Sequence, residues 1–287
     1  MKKKVSYETF PGLRLLTREK QLDVIINKSL IRADEEWKDI LNNNVDLFKS
    51  ILSDCKKNMQ KIDYFSPTYC DAVIDSSDAI YELVNKEGEL PHNLCEILGA
   101  GDLCGTCIFN QEKVFTKVGK GARTYVFYRI KNNFKRIELF EVDQISKNYL
   151  FLTTAFVGSV HYMTKDKIMI RPEFKCSDTS LGLLIKILVF QKIAKTELEY
   201  FDLVDENKVP KGTSKFNIMS KAPSEGVNIN YYSANWYKEI LVDHDFSVVG
   251  HWRNQPTNNG VKLIFIKPYV KHGYHRKASK DQAEVIY

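Results

Sequence analysis

Arg123-Thr124-Tyr125-Val126-Phe127-Tyr128-Arg129-Ile130-Lys131, then Asn132-Asn133, then Phe134-Lys135-Arg136-Ile137-Glu138-Leu139-Phe140-Glu141-Val142-Asp143, is the stretch that decides the class of this fold. Aromatic and β-branched residues dominate both runs with a period of two, and Lys131-Asn132-Asn133 is a turn signal between them, so the stretch predicts a β-hairpin. The same composition recurs near 104–109, 113–118, 149–157 and 160–170, with Val118-Gly119-Lys120-Gly121 as a further turn, which extends the hairpin into an antiparallel meander. Downstream, Leu181, Leu183, Leu184, Ile187, Leu188 and Phe190 predict one helix over 180–195. A long loop is expected over 205–225, where Pro210, Gly212 and Pro223 fall. After it come a strand at 227–232, a short helix opened by Ser233, and strands at 245–255 and 261–267 around Thr257-Asn258-Asn259-Gly260.

Before Cys104 the period is helical. Thr17 is placed to cap a helix over 18–30, and Asp34 one whose apolar stripe runs Trp37, Ile40, Leu41, Val45, Phe48, Ile51, Leu52, Cys55, Met59. A third helix is expected over 72–84 and a short one after Pro91. The expected class is therefore α+β: a helical N-terminal region over 1–100, then over 101–275 a mostly antiparallel sheet with one or two packed helices, and a polar tail over 276–287.

With 287 residues, 44% hydrophobic content and 8 prolines the chain has the composition of a globular protein and can bury a sizeable core. No apolar run approaches the roughly 18 residues that a membrane span requires. Ser6, Glu8, Arg14 and Arg18 interrupt what would be the apolar part of a secretion signal, so a cytoplasmic protein without membrane partners is expected. Six cysteines are too sparse for a disulfide scaffold, which leaves reduced thiols.

Charge is unevenly spread. Residues 113–136 hold eight Lys or Arg and no acid, and residues 246–280 hold seven and no acid; of the 42 basic residues this leaves 27 against 36 acidic ones elsewhere. A basic surface on an otherwise acidic body points to a partner that carries phosphates. In the first stretch, alternation sets Arg123, Tyr125, Phe127, Arg129 and Lys131 on one face, with Lys120 in the preceding turn. Cations around aromatic rings can neutralise phosphates and stack bases. The other reading of the same face is a packed one, covered by the helical region.

In the second stretch, alternation puts Phe246, Val248, Gly250 and Trp252 on a core face and Val249, His251, Arg253 and Gln255 on the opposite one, with Lys262 on the partner strand brought near that row. Lys267, Lys271 and His275 follow. An imidazole moves protons near neutral pH, and Arg or Lys stabilises charge on phosphorus, so His251, Arg253, Lys262 and His275 are the candidate catalytic set of a metal-independent ribonuclease. Lys267 and Lys271 extend the candidate nucleic-acid surface. Hydrogen bonding of His251 and Arg253 to nearby backbone or carboxylate is the plainer alternative.

The phrases Val249-Gly250-His251-Trp252-Arg253-Asn254-Gln255-Pro256, Lys262-Leu263-Ile264-Phe265-Ile266 and Lys271-His272-Gly273-Tyr274, with Trp236 after an Asn, resemble the C-terminal signature of an uncharacterised protein family of bacterial mobile elements and phages. That resemblance covers about the last 75 residues and implies no activity. More loosely, a strand ending in Trp-Arg, a strand Lys-Leu-Ile-Phe-Ile and a His-rich end are similar to the small toxin ribonucleases that cleave messenger RNA on the ribosome.

His92, Cys95, Cys104 and Cys107 have paired two-residue spacings that suit tetrahedral zinc, although the short gap between the pairs favours buried free cysteines. Glu138, Glu141 and Asp143 read as surface carboxylates. No Walker loop, H-E-x-x-H or G-x-S-x-G is present, and no cofactor is expected beyond that zinc. The residues thus point first to a nucleic-acid-binding accessory protein of a mobile element or phage, with RNA and DNA both open. Two alternatives are a metal-independent RNA endonuclease and an interaction protein that inhibits a host factor.

Overall fold

Strand β1 (Lys3–Ser6) leads through a 3-10 helix (Pro11–Leu16) into α1 (Lys20–Leu30), α2 (Glu35–Asn43) and α3 (Val45–Lys57). Next come β2 (Ile62–Phe65), α4 (Pro67–Asp75), α5 (Ser77–Val84) and α6 (Leu90–Leu98). The meander follows as β3 (Leu103–Asn110), β4 (Arg123–Lys131), β5 (Arg136–Ser146), β6 (Tyr149–Met163) and β7 (Ile168–Lys175). The chain continues through α7 (Thr179–Ile193), β8 (Glu197–Val204) and β9 (Pro223–Ser233) to a hairpin of β10 (His251–Thr257) and β11 (Gly260–Ile266). This computed structural model describes residues 3–18, 20–59, 61–85, 89–110, 122–146, 149–163, 168–175, 179–194, 197–204, 223–234, 250–257 and 260–267.

Nine of these strands form one sheet in the order β1-β8-β9-β2-β3-β4-β5-β6-β7, and β10 and β11 form a second, two-stranded one. The meander from β3 to β7 is antiparallel as expected, but the sheet as a whole is mixed. Strand β2 runs parallel to both of its neighbours, with Asp63 opposite Cys107 on one side and Asn230 on the other, and β1 runs parallel to β8. Two sheet strands therefore come from the region expected to be helical. Both have four residues, too few to display a period of two above the helical pattern around them.

The sheet is covered on both faces. The 3-10 helix and α1 to α3 pack one face, where Leu13, Ile25, Leu41, Phe48 and Ile51 meet Tyr125, Phe127 and Phe140. Helices α4 to α7 pack the other, where Tyr69, Ile80, Leu94, Leu184 and Phe190 meet Val126, Ile130 and Phe156. Complete burial of each such side chain contributes about 1.5–3 kcal/mol. Helix α7 is buried at Leu181, Leu184, Ile185, Ile187, Val189 and Phe190, so apolar residues surround its axis.

Local chemistry sets the helix ends. Asp34 Oδ1 accepts from the Trp37 amide at 2.8 Å and Ser66 Oγ from the Tyr69 amide at 3.1 Å, with Pro67 in the first turn of α4. Thr17 does not cap α1, since its hydroxyl donates to the Arg14 carbonyl. The helix expected from Asp34 to Met59 is divided at Asn44, which ends α2 and begins α3, and its side chain donates to the Ile40 carbonyl at 2.9 Å. The helix expected over 72–84 is likewise divided at Ser76. Among the described residues no helix is long and apolar enough to cross a membrane.

Candidate functional site

The β4 face proposed to carry bases is an interior face. Tyr125 and Phe127 are 0% exposed, which corrects their reading as stacking platforms: both of their sides are taken by protein. The Phe127 ring stacks on Phe140 with centroids 5.0 Å apart, and Tyr125 lies under the 3-10 helix with its hydroxyl 2.8 Å from Gln144 Oε1. A strand in the middle of a sheet has helices on each side, so its alternating face is covered whether or not it carries cations.

The cations on that face are committed to protein acceptors. Arg129 is buried; its Nε donates to Glu138, and its Nη1 reaches Asp54 Oδ2 and Ser50 Oγ, each at 2.8 Å. Arg136 Nε contacts Glu138 Oε1 at 2.8 Å and Lys131 Nζ lies 3.9 Å from Glu138 Oε2. Arg123 donates to the Thr9 carbonyl and sits 4.7 Å above the Phe10 ring. Glu138 and Glu141 are buried, not the surface carboxylates their strand position implied. Burial drives the Glu138 carboxyl up, but hydrogen bonds from Arg136 and Arg129 overcome that and hold it below its ordinary value. The hydrogen bond from Arg129 also lowers Asp54.

The C-terminal hairpin has the opposite character. In its register His251 faces Ile266, Arg253 faces Ile264 and Gln255 faces Lys262, which puts these residues on one face. Trp252 with Phe265, Asn254 with Leu263 and Pro256 with Val261 form the other. That second face docks on α5 and α7: Asn254 Nδ2 donates to the Ala79 carbonyl at 2.9 Å, and the Trp252 ring meets Phe190 edge-on with centroids 5.2 Å apart. Anchoring of the inner face leaves the outer one in solvent, with His251, Arg253 and Lys262 exposed, and Lys267 exposed just past β11. Arg253 Nη2 donates to Gln255 Oε1 at 2.7 Å, which aligns the guanidinium along the strand. Thr257 Oγ1 closes the turn by donating to the Gly260 carbonyl at 2.8 Å, with Gly260 at φ +110.

Residues 250–267 contain no Asp or Glu. The outer face is thus a short cationic row with one imidazole and no carboxylate of its own, of a kind that can meet a phosphate backbone. Lys120, Lys271 and His275 lie outside the described residues.

The four proposed zinc ligands do not converge. Cys104 and Cys107, three residues apart on β3, point to opposite faces of the sheet. Cys104 Sγ accepts from Asn58 Nδ2 at 3.4 Å on the α3 side, whereas Cys107 is buried on the α7 side and burial pushes its thiol well up. His92 and Cys95 are on α6, with His92 Nε2 3.3 Å from a Glu96 oxygen. Among the described residues no cluster of three His, Cys, Asp or Glu side chains could hold a metal ion.

One half-buried acid in the sheet has no counterpart among the candidate residues. Asp63, in the centre of the sheet, accepts from Asn230 Nδ2 at 2.8 Å, and burial raises its carboxyl above the ordinary value despite that bond. Nothing in Lys61-Ile62-Asp63-Tyr64-Phe65 separates a central strand from a helix-terminal loop. No family model matches the chain, and neither a curated protein nor a solved structure gives a significant match.

Proposed function

We propose that this protein binds nucleic acid by its phosphate backbone, with the outer face of the β10–β11 hairpin as the contact surface, as an accessory protein of a mobile element or phage. One observation carries this reading: His251, Arg253 and Lys262 are exposed together on the outer face of an acid-free hairpin whose other face is anchored to the core. On β4, Arg129 is held in the interior by Glu138 and Asp54, which leaves the hairpin as the exposed cationic face that we take as the interface. The genetic setting rests on the resemblance of the hairpin sequence.

Backbone binding needs only such a row of donors. Fluorescence anisotropy with short labelled RNA and DNA, single-stranded and duplex, tests it at low salt. The expected result is saturable binding that weakens with salt and is lost in Arg253→Glu/Lys262→Glu. Failure of all four to bind removes the reading.

A second reading has one observation in its favour, the shared face of His251 and Arg253. In an RNA endonuclease His251 would take the 2′-hydroxyl proton as that oxygen attacks phosphorus. Arg253 would hold the non-bridging oxygens, and a second acid would protonate the leaving 5′-oxygen. The hairpin's described residues include one imidazole, which favours binding over cleavage. Cutting of RNA in EDTA that disappears in His251→Ala would decide for the enzyme. Copurification of a cell protein with no RNA affinity would decide for a host-factor inhibitor.

A further inference from the structure

Two cysteines meet between α3 and β3 through reciprocal contacts. The Cys55 thiol, in the last turn of α3, donates at 3.2 Å to the carbonyl of Gly105, the residue after Cys104. The Cys104 thiol, near the start of β3, reaches at 3.7 Å the carbonyl of Asp54, the residue before Cys55. Asn58, which caps α3, spans the same gap, with Nδ2 3.2 Å from the Cys104 carbonyl and 3.4 Å from its sulfur. Each sulfur therefore lies against the backbone beside the other. Burial first, and the neighbouring Cys104 second, push the Cys55 thiol up to about 12.

The two sulfurs differ in access. Cys55 is buried, whereas Cys104 is partly exposed. A dissolved oxidant meets Cys104 first, and an oxidised Cys104 already has a protected thiol beside it. The other described cysteines are arranged differently. Cys70 and Cys107 are both enclosed on the opposite face of the sheet, and Cys95 is carried by α6 on that same side.

We infer that Cys104 is a site of reversible oxidation by hydroperoxides, with Cys55 as its resolving thiol. The Cys104 sulfur attacks one oxygen of hydrogen peroxide and the O–O bond breaks. One OH stays on sulfur as the sulfenic acid, and the other leaves with the thiol proton as water. The Cys55 sulfur then attacks the Cys104 sulfur; the S–S bond forms, and the displaced OH departs with the Cys55 proton as a second water. The peroxide has taken two electrons, one from each thiol. Both cysteines lie near the ends of their elements, so the adjustment that brings the sulfurs to about 2.05 Å falls on a helix end and a strand end. The link withdraws Cys104 from the irreversible sulfinic stage. It also fastens α3 to β3 beside the Arg129–Asp54 contact, since Asp54 precedes Cys55 and Arg129 stands opposite Cys104 on β4.

Peptide mass spectrometry of the full native chain tests the inference, after treatment with a small excess of hydrogen peroxide, blocking with N-ethylmaleimide and digestion without reductant. A peptide linking Cys55 to Cys104 is expected to carry most of the Cys104 and to disappear with dithiothreitol. Cys104→Ser should lose the link while the thermal midpoint of the untreated chain stays near that of the parent, because the position is partly exposed. In Cys55→Ala the sulfenic acid of Cys104 should persist and give more dimedone adduct than in the parent. Absence of the link in the parent, with Cys104 recovered as the free thiol or as the sulfinic acid, would overturn the inference. So would a link from Cys104 to any other cysteine in place of Cys55.

Discussion

Arg129 Nη1 on β4 donates to Asp54 Oδ2 on α3 at 2.8 Å, joining the middle of the sheet to the helical layer across 75 residues of sequence. With Glu138 on the other side of the guanidinium, the arginine lies between two carboxylates from different elements. A cation that looks from the sequence like part of a phosphate-binding row is thus a structural tie.

Removal of that tie should be costly. Arg129→Met removes one of the two guanidinium partners of buried Glu138, with Arg136 remaining at 2.8 Å, and is expected to destabilise the fold by roughly 1–3 kcal/mol, measured by denaturant unfolding. Arg129→Met/Glu138→Met should be less destabilised than Arg129→Met alone. The pH dependence has a defined sign: Asp54 and Glu138 are held below their ordinary values, so the stability they contribute is present above the unfolded carboxylate range near pH 4 and is lost as pH falls through the folded values. Glu138→Gln should therefore flatten the acid limb of a stability-versus-pH curve.

Asp63 has the opposite sign. Burial raises its carboxyl, so the fold is favoured by its protonated form, and its contribution is lost as pH rises through the folded value. Asp63→Asn should raise the thermal midpoint at pH 7. That advantage should shrink as pH falls below the ordinary carboxylate range, where Asp63 is protonated in both states.

Gly12 is required by contact. A Cβ there would lie 2.5 Å from carbons of the Tyr125 ring, whose position is fixed by complete burial. Gly12→Ala should cost about 1–3 kcal/mol by forcing the 3-10 helix off the sheet. An unchanged unfolding midpoint would contradict this packing.

Thiol reactivity should report the same layers. Burial pushes the Cys55 and Cys70 thiols up to about 12, and Cys107 is fully enclosed, whereas Cys95 and Cys104 are partly exposed. Iodoacetamide on the native protein, followed by peptide mass spectrometry, should modify Cys95 and Cys104 before Cys55, Cys70 and Cys107. Early modification of Cys107 would contradict the arrangement.

The elements that could be read from sequence are those whose pattern is local. On β10, His251, Arg253 and Gln255 alternate with Trp252 and Asn254, and the hairpin has one wet and one packed side, so the period translates directly into faces. Helix α7 was equally legible from its run of apolar residues. On β4 the same alternation misled, because both faces are covered and the acceptors of Arg129 lie on α3 and β5. Strand β8 was missed: Glu197, Glu199 and Asp202 interrupt its apolar residues, and its pairing with β1 and β9 is non-local.

The most direct measurement is the salt dependence of single-stranded RNA affinity for the full chain and for Arg253→Glu/Lys262→Glu. About three phosphate contacts from the hairpin predict a slope of log K against log salt near −2 in the parent and close to zero in the variant. Identical slopes in the two proteins, or no affinity in the parent at low salt, would contradict a hairpin that binds phosphates.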